Sequence, residues 1–181
     1  MEQLRAEIEI LTREVARLAA HEAIRLRVQS YVRALDRLDG ELLAAQFWPD
    51  AQVDYGAFYQ GTIDGFLPIA LGFQGSMRDT QHLVGNVLAR VDGERASAES
   101  YVHAHHIIAQ GGDLVQLMVG ARYLDRLERR GGEWRISYRS EILDWGRWLP
   151  VSERWFETSN ELPKGTRGYS DISYRYLLPG R

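Results

Sequence analysis

A histidine and an aspartate stand in settings that suit acid–base chemistry. His82 lies between a polar run and the start of an apolar stretch that is typical of a strand, so its ring can face a pocket. Asp36 lies one turn after Val32 and next to Leu35, beside the apolar stripe of a predicted helix, where a carboxylate is costly unless it is paired. If the ring N–H of His82 is the partner, the carboxylate fixes the tautomer and leaves the other ring nitrogen as a general base near neutral pH.

Both residues also have plainer interpretations. A histidine at the start of an apolar strand is commonly a hydrogen-bonded core residue. Asp36 can instead cap the end of its helix or pair with Arg33 or Arg37 at the surface. The residues alone leave these alternatives open.

Three of the five histidines crowd together at His103, His105 and His106. Alternation along a strand places His103 and His105 on one face and His106 on the other, so at most two of them can bind one ion. No acidic residue completes a metal-binding spacing. We therefore expect no metal site, and we expect His103 and His105 to be partly solvated.

Composition narrows the class of protein. The chain has 181 residues, 45% of them hydrophobic, which suits one domain with a sizeable core. A net charge of −3 and a single lysine, Lys164, give no basic footprint for nucleic acid. With no cysteine, disulfides and thiolate chemistry are excluded. The charged start and the lack of a long apolar run predict a cytoplasmic protein with no membrane partner.

The start of the chain carries a heptad-like stripe. Apolar residues recur at steps of four and three, which is the spacing of a coiled-coil seam: Leu4, Ile8, Leu11, Val15 and Leu18. The stripe predicts either self-association or docking on the chain's own domain. From Ile24 to Leu35 the stripe changes register until Asp39-Gly40 ends the helix, so one long helix or two kinked helices both fit.

The rest of the chain predicts short helices followed by long strands. Proline at position 49 ends a helix over residues 41–47, a strand or strand pair follows at 51–59, and a turn at 61–65 precedes a helix at 67–73. Glycine-rich turns separate four strands, at 81–92, 95–110, 114–129 and 133–144. This order is typical of an α+β domain. We divide the chain into a helical extension at 1–20, a domain at 21–148 and an irregular tail at 149–181.

Three short stretches carry a resemblance to a known family. Ala34-Leu35-Asp36, Ala51-Gln52-Val53-Asp54-Tyr55 and Thr80-Gln81-His82-Leu83 resemble scytalone dehydratases and the SnoaL-like proteins of the nuclear-transport-factor-2-like superfamily. The resemblance implies a cone-shaped, curved antiparallel sheet whose N-terminal helices enclose a deep pocket. It also implies an enzyme without a cofactor that forms homo-oligomers, with a trimer favoured over a dimer.

The resemblance also implies roles for individual residues. Asp36 and His82 match the catalytic pair, Tyr55 a tyrosine that polarises a carbonyl, and Tyr31 a pocket tyrosine. His106 matches a second histidine, although a shift of one residue selects His105. Further residues are expected in the substrate wall: Phe47, Trp48, Phe58, Met118, Arg122, Trp145 and Arg147. Leu35 replaces a tyrosine of the scytalone enzyme, so we expect a substrate other than scytalone.

These roles predict proton abstraction next to a carbonyl, followed by elimination or isomerisation. His82 removes the proton, the tyrosines donate hydrogen bonds to the enolate oxygen, and His106 protonates a leaving hydroxyl. The substrate is a small hydrophobic molecule, a cyclic or polycyclic hydroxy-ketone of steroid-like or polyketide-like type. Polyketide cyclisation by aldol chemistry and a non-catalytic binding or assembly protein of the same fold remain as alternatives.

Overall fold

The computed structural model describes residues 1–151 and 161–177 of the chain. Its helices and strands follow in chain order: α1 Glu2–Arg37, α2 Gly40–Ala44, β1 Phe47–Asp54, β2 Gln60–Thr62, α3 Ile63–Ser76, β3 Asp79–Asp92, β4 Arg95–Gln110, β5 Asp113–Arg130, β6 Glu133–Pro150 and α4 Ser173–Leu177. The strands form one curved, unclosed sheet in the order β2-β1-β6-β5-β4-β3. The α+β prediction is confirmed, and one pair, β1 with β6, is parallel.

Helix α1 is a single unbroken helix that changes surroundings partway along. Residues 1–19 are all exposed, and the heptad stripe lies in solvent, with Leu11 and Val15 each 64% exposed. From Ala20 onward the same helix packs on the sheet and buries Ile24, Val28 and Tyr31. The stripe therefore does not dock on the described part of its own chain, and self-association through it stays a prediction.

The segment around Pro49 differs from the sequence prediction. Helix α2 ends at Ala44, and β1 already begins at Phe47 and runs through Pro49. The pairing of β1 with β6 is interrupted between Phe47 and Gln52. Pro49 lies in this unpaired stretch, so its missing N–H costs the sheet no hydrogen bond. The predicted turn at 61–65 is divided between β2 and the start of α3, and Tyr59 lies against glycines in both halves.

The four long strands form the predicted meander, with tight glycine turns between them. Gly93, Gly111 and Gly131 have positive φ, which suits glycine in short hairpin loops. Helices α1 and α3 cover one face of this sheet, and the hydrophobic core lies between the helices and the sheet. We call the helix-covered side the inner face and the other side the outer face.

Two bulges in β6 change which of its residues point inward. Ile136 pairs with Leu127 and Tyr138 with Arg126, which leaves Ser137 without a partner on β5. Before this bulge the buried residues have even numbers, Trp134 and Ile136, and after it the buried residue Arg139 has an odd number. A second bulge at Asp144 reverses the alternation again.

The described part of the tail folds back on the same chain. Of the predicted tail at 149–181, residues 149–150 belong to β6, residues 161–172 are irregular and α4 follows, while residues 152–160 and 178–181 lie outside the described residues. Arg37 donates hydrogen bonds to Asp171 at 3.0 Å and to the carbonyl of Thr166 at 2.7 Å. Arg167 donates to the carbonyl of Gln74, in the last turn of α3, and to that of Met77, which follows the helix. In the described residues no helix is long and apolar enough to span a membrane.

Candidate active site

Asp36 and His82 meet inside the fold. Asp36 is in the last turn of α1, and His82 is the fourth residue of β3, the strand on which that turn packs. Nδ1 of His82 lies 2.7 Å from Oδ1 of Asp36, and the backbone N–H of His82 donates to Oδ2 at 2.9 Å. The hydroxyl of Thr80 donates to Oδ1 at 3.1 Å. The carboxylate is therefore surrounded by donors on both oxygens.

The electrostatics of this pair favour an ionised aspartate. Burial alone would raise the pKa of Asp36, but hydrogen bonds from His82 and Thr80 outweigh it and leave the pKa lowered. An ionised carboxylate accepts hydrogen bonds only, so Nδ1 of His82 carries the proton. Nε2 is then left with its lone pair, and the ring, 4% exposed, lines a cavity.

Two tyrosines share a hydrogen bond at the same cavity. The hydroxyl oxygens of Tyr31 and Tyr55 lie 2.7 Å apart. Burial raises the pKa of Tyr31 to about 12, although the charge of Arg139 opposes the rise, and burial raises the pKa of Tyr55 well above its usual value. Both hydroxyls are protonated at neutral pH, and one O–H satisfies the other tyrosine. The second O–H has no acceptor among the described residues and can donate to a bound molecule.

The cavity itself is small and mostly apolar, with a volume of about 260 Å³. Its aliphatic and aromatic wall consists of Leu35, Phe58, Phe66, Ala70, Phe73, Ala104, Leu117, Val119 and Leu143. Its polar groups are Tyr31, Tyr55, Gln74, His82, His106, Tyr123 and Glu141. A few convergent polar groups in an apolar cavity are typical of a binding site for a small molecule.

His106, and not His105, faces the cavity. Its ring centroid lies 5.2 Å from that of His82. Burial, reinforced by the neighbouring His82, lowers the pKa of His106 to about 4. His103 and His105 point to the outer face, where His103 contacts Trp145 and His105 contacts Gln116. Among the described residues, no group of three or more His, Asp or Glu is arranged to hold a metal ion.

Of the residues expected in the substrate wall, Phe58 lines the cavity and six do not. Phe47 is a core residue, 1% exposed, that packs on the edge of Tyr31. Trp48 donates its indole N–H to the carbonyl of Glu128 and stacks beneath the guanidinium of Arg130, away from the cavity. The expectation for these two is corrected because β1 begins four residues earlier than predicted.

The remaining four lie on the outer face. Met118 and Arg122 are even-numbered residues of β5, whose odd-numbered residues line the cavity. Arg122 pairs there with Asp144 and Glu99. Trp145 and Arg147 are opposite Gly120 and Met118 in the ladder, because the bulge at Asp144 turns them outward.

Sequence reasoning missed a carboxyl group in the cavity wall. Glu141 is directly opposite Tyr123 on the neighbouring strand and lines the cavity with it. Burial raises the pKa of Glu141, while the charges of Arg139 and His82 oppose the rise. Arg139 itself is fully buried and binds Asp125 through two hydrogen bonds of 2.7 Å each. Its guanidinium also lies 4.1 Å from the ring centre of Tyr31.

Comparisons with known proteins agree with this architecture. A family model described as a SnoaL-like domain matches residues 16–140. Uncharacterized protein Rv2910c of Mycobacterium tuberculosis (strain ATCC 25618 / H37Rv) is 33% identical over 132 residues, covering 70% of this chain and 87% of that protein.

Solved structures share the fold at lower identity. A hexachlorocyclohexane dehydrochlorinase, LinA Type2, has a TM-score of 0.68 and 21% identity, covering 77% of this chain and 93% of that one. The hexachlorocyclohexane dehydrochlorinase LinA-type3 from Novosphingobium barchaimii LL02 has a TM-score of 0.63 and 20% identity, covering 77% and 94%. These similarities place the sheet and its covering helices in the nuclear-transport-factor-2-like fold.

Proposed function

The chain belongs to the SnoaL-like family, and from that premise we propose that it is a cofactor-independent lyase that eliminates water from a small cyclic hydroxy-ketone. The observation that carries the proposal is the 2.7 Å contact between His82 and Asp36 at the wall of a small apolar cavity. The names of the two LinA structures, both dehydrochlorinases, support elimination as the type of reaction.

The proposed mechanism begins with proton abstraction. Nε2 of His82 removes the acidic proton from the carbon next to the carbonyl, and Asp36 holds the tautomer and stabilises the imidazolium that forms. The Tyr31–Tyr55 pair offers a hydrogen bond to the carbonyl oxygen as it becomes an enolate. A donor placed where charge develops contributes about 10²–10³-fold in rate.

The size of the cavity supports a compact substrate. A volume of about 260 Å³ lies just below the range of roughly 300–1,000 Å³ that is common for small-molecule pockets. It suits a compound of one or two rings better than a four-ring steroid. Among the described residues, the wall supplies uncharged polar groups and no exposed cation, which favours a neutral hydroxy-ketone over an anionic substrate.

The rival functions share parts of this site. The same base and donors would serve an aldol cyclisation, in which the enolate attacks a second carbonyl, but a folded polyketide chain is large for this cavity. A binding or assembly protein would have no need of a hydrogen-bonded His–Asp pair in its pocket. The His–Asp pair therefore favours an enzyme, and the volume favours elimination over cyclisation.

The test uses two bicyclic ketones. Exchange of the C2 protons of 1-tetralone in D₂O, followed by NMR, measures proton abstraction alone, and conversion of 3-hydroxy-1-tetralone to fluorescent 1-naphthol measures elimination. We expect His82→Gln and Asp36→Asn to slow both by about 10²–10⁴-fold. His105→Gln, on the outer face, is the matched control. Wild-type rates no faster than buffer with both ketones would overturn the proposal.

We also propose that the chain forms a homo-oligomer, with a trimer favoured over a dimer. The support is the family resemblance together with exposed apolar side chains on the sheet, among them Leu83, Leu88 and Tyr101. Sedimentation equilibrium of the full chain measures the state directly, and a monomer at all concentrations contradicts it.

A further inference from the structure

Glu141 is the one acidic side chain of the described residues that lines the cavity. It stands on β6 two residues after Arg139 and opposite Tyr123 of β5. The aromatic and aliphatic residues around it offer no charge, and within the described residues it forms no hydrogen bond or ion pair. A carboxyl group in such a place is stable only as the neutral acid or with a donor supplied by a ligand.

None of the charged and titratable groups around Glu141 forms a hydrogen bond with it among the described residues. Arg139, on its own strand, binds Asp125 through Nε and Nη2, while its buried Nη1 has no hydrogen-bond partner among the described residues. On the facing elements, His82 of β3 is bound to Asp36 of α1, and Tyr31 of α1 is bound to Tyr55. His106 of β4, whose buried Nδ1 has no partner among the described residues, and Tyr123 of β5 complete the polar wall. Burial in this apolar wall raises the pKa of Glu141, so the carboxyl group keeps its proton available for a substrate.

We propose that Glu141 is the catalytic acid of this site, which delivers its carboxyl proton to the leaving hydroxyl while His82 removes the proton next to the carbonyl. The inference rests on the proposed function and names a second catalytic residue for it. It also narrows the substrate class to ketones whose leaving group is a hydroxyl and needs a proton to depart.

The step balances in atoms and electrons. The C–H bond breaks, its proton moves to Nε2 of His82, and its electron pair forms the C=C bond. The C–O bond of the hydroxyl breaks, and the oxygen takes the proton of Glu141 and leaves as water. His82 is then an imidazolium and Glu141 a carboxylate, and transfer of one proton from His82 to Glu141 restores both.

The two proton transfers assist each other. A positive charge on His82 lowers the pKa of Glu141, as does the fixed charge of Arg139. The carboxyl group therefore becomes a stronger acid when the base has taken its proton, which is when the leaving oxygen needs one.

His106 is a weaker candidate for the same role. Its pKa is lowered to about 4, so its ring is neutral at pH 7 and has no readily released proton. Its ring packs beside His82. We assign it to the wall of the cavity and the acid role to Glu141.

The experiment varies the leaving group. 3-Hydroxy-1-tetralone needs a proton on its leaving oxygen, whereas 3-acetoxy-1-tetralone loses acetate as an anion and needs none. We expect Glu141→Gln to slow loss of water by about 10²-fold and to leave loss of acetate within a few-fold of wild type. Glu133→Gln, a carboxamide change at the far end of the same strand, is the matched control and leaves both rates unchanged.

Other outcomes separate the two proposals. Equal slowing of both leaving groups by Glu141→Gln, or slowing of neither, overturns the acid role while the His82 variants still test the base. A second measurement needs no substrate: the infrared difference spectrum of wild type minus Glu141→Gln at pH 7. A carbonyl band of a protonated carboxyl group supports the assignment, and a carboxylate band in its place overturns it, even where neither tetralone is turned over.

Discussion

The inner and outer faces of the sheet place the same kind of ion pair in opposite surroundings. On the inner face, Arg139 and Asp125 are both fully buried, with the guanidinium stacked on Tyr31 and Tyr123. On the outer face, Arg122 reaches Asp144 and Glu99 with about a third of each side chain exposed. Water screens the outer pair, whereas the inner pair projects its field into the cavity. Position relative to the sheet, and not residue type, decides which charges matter to the site.

The largest effect expected from this comparison is on stability. Arg139→Met leaves Asp125 as an uncompensated buried charge, which costs about 3–5 kcal/mol, while Arg122→Met leaves its partners in water and costs little. Replacing both inner partners, as Arg139→Met with Asp125→Leu, recovers most of the loss. Urea unfolding followed by tryptophan fluorescence measures all three variants. Equal losses for Arg139→Met and Arg122→Met would contradict the distinction between the faces.

The next effect is on turnover and compares two tyrosines. Tyr55→Phe removes a donor from the hydroxyl pair at the cavity, and we expect about 10²-fold slower formation of 1-naphthol from 3-hydroxy-1-tetralone. Tyr101→Phe changes a tyrosine that is 45% exposed on the outer face and leaves the rate unchanged. Retained turnover in Tyr55→Phe would show that the pair is only a satisfied core contact.

Sequence reasoning reached the His–Asp pair but not the acid. Asp36 was identifiable because a carboxylate beside an apolar helical stripe needs a partner, and His82 because it opens an apolar strand. Alternation continued from Trp134 and Ile136 puts Glu141 on the outer face, and only the bulge at Ser137 turns it inward. No glycine or proline marks that bulge, so the pattern of residues gives no sign of it.

The same limit explains the two errors at the end of β6. Without the bulge at Asp144, Trp145 and Arg147 would follow Leu143 on the inner face. Strands β3, β4 and β5 were predicted within two residues because glycines mark their hairpin turns, whereas β6 runs six residues past its predicted end at 144. The sequence therefore predicted the sheet and the His82–Asp36 pair. The inward position of Glu141 and the outward positions of Trp145 and Arg147 depend on bulges in the pairing of β6 with β5.

A smaller effect concerns acid stability and compares two histidines. His106 has a pKa of about 4 in the folded protein against 6.5 ordinarily. Between these values the unfolded chain binds a proton that the folded chain does not, so acidification through this window destabilises the fold. The contribution is complete above pH 6.5 and is lost as the pH falls towards 4.

The measurement is the free energy of unfolding across that window. In the wild type, acidification through this window lowers the free energy of unfolding. We expect His106→Asn to reduce that loss by about 1–3 kcal/mol in total. His105→Asn, on the outer face, should leave the loss unchanged. An unaltered slope in His106→Asn would mean that its ring is protonated as readily when folded as when unfolded.

The smallest effect tests the bulge at Asp144 with neighbouring apolar residues. Leu143 lines the cavity and Trp145, two residues later, lies over Gly120 on the outer face. We expect Leu143→Ala to raise KM for 3-hydroxy-1-tetralone several-fold, since about 1–3 kcal/mol is the scale for lost apolar contact in a pocket. Trp145→Ala should leave both KM and kcat unchanged, although it removes the larger side chain. If Trp145→Ala raised KM as much as Leu143→Ala, the indole would have to reach the bound ketone. The alternation of β6 would then continue unbroken past Asp144.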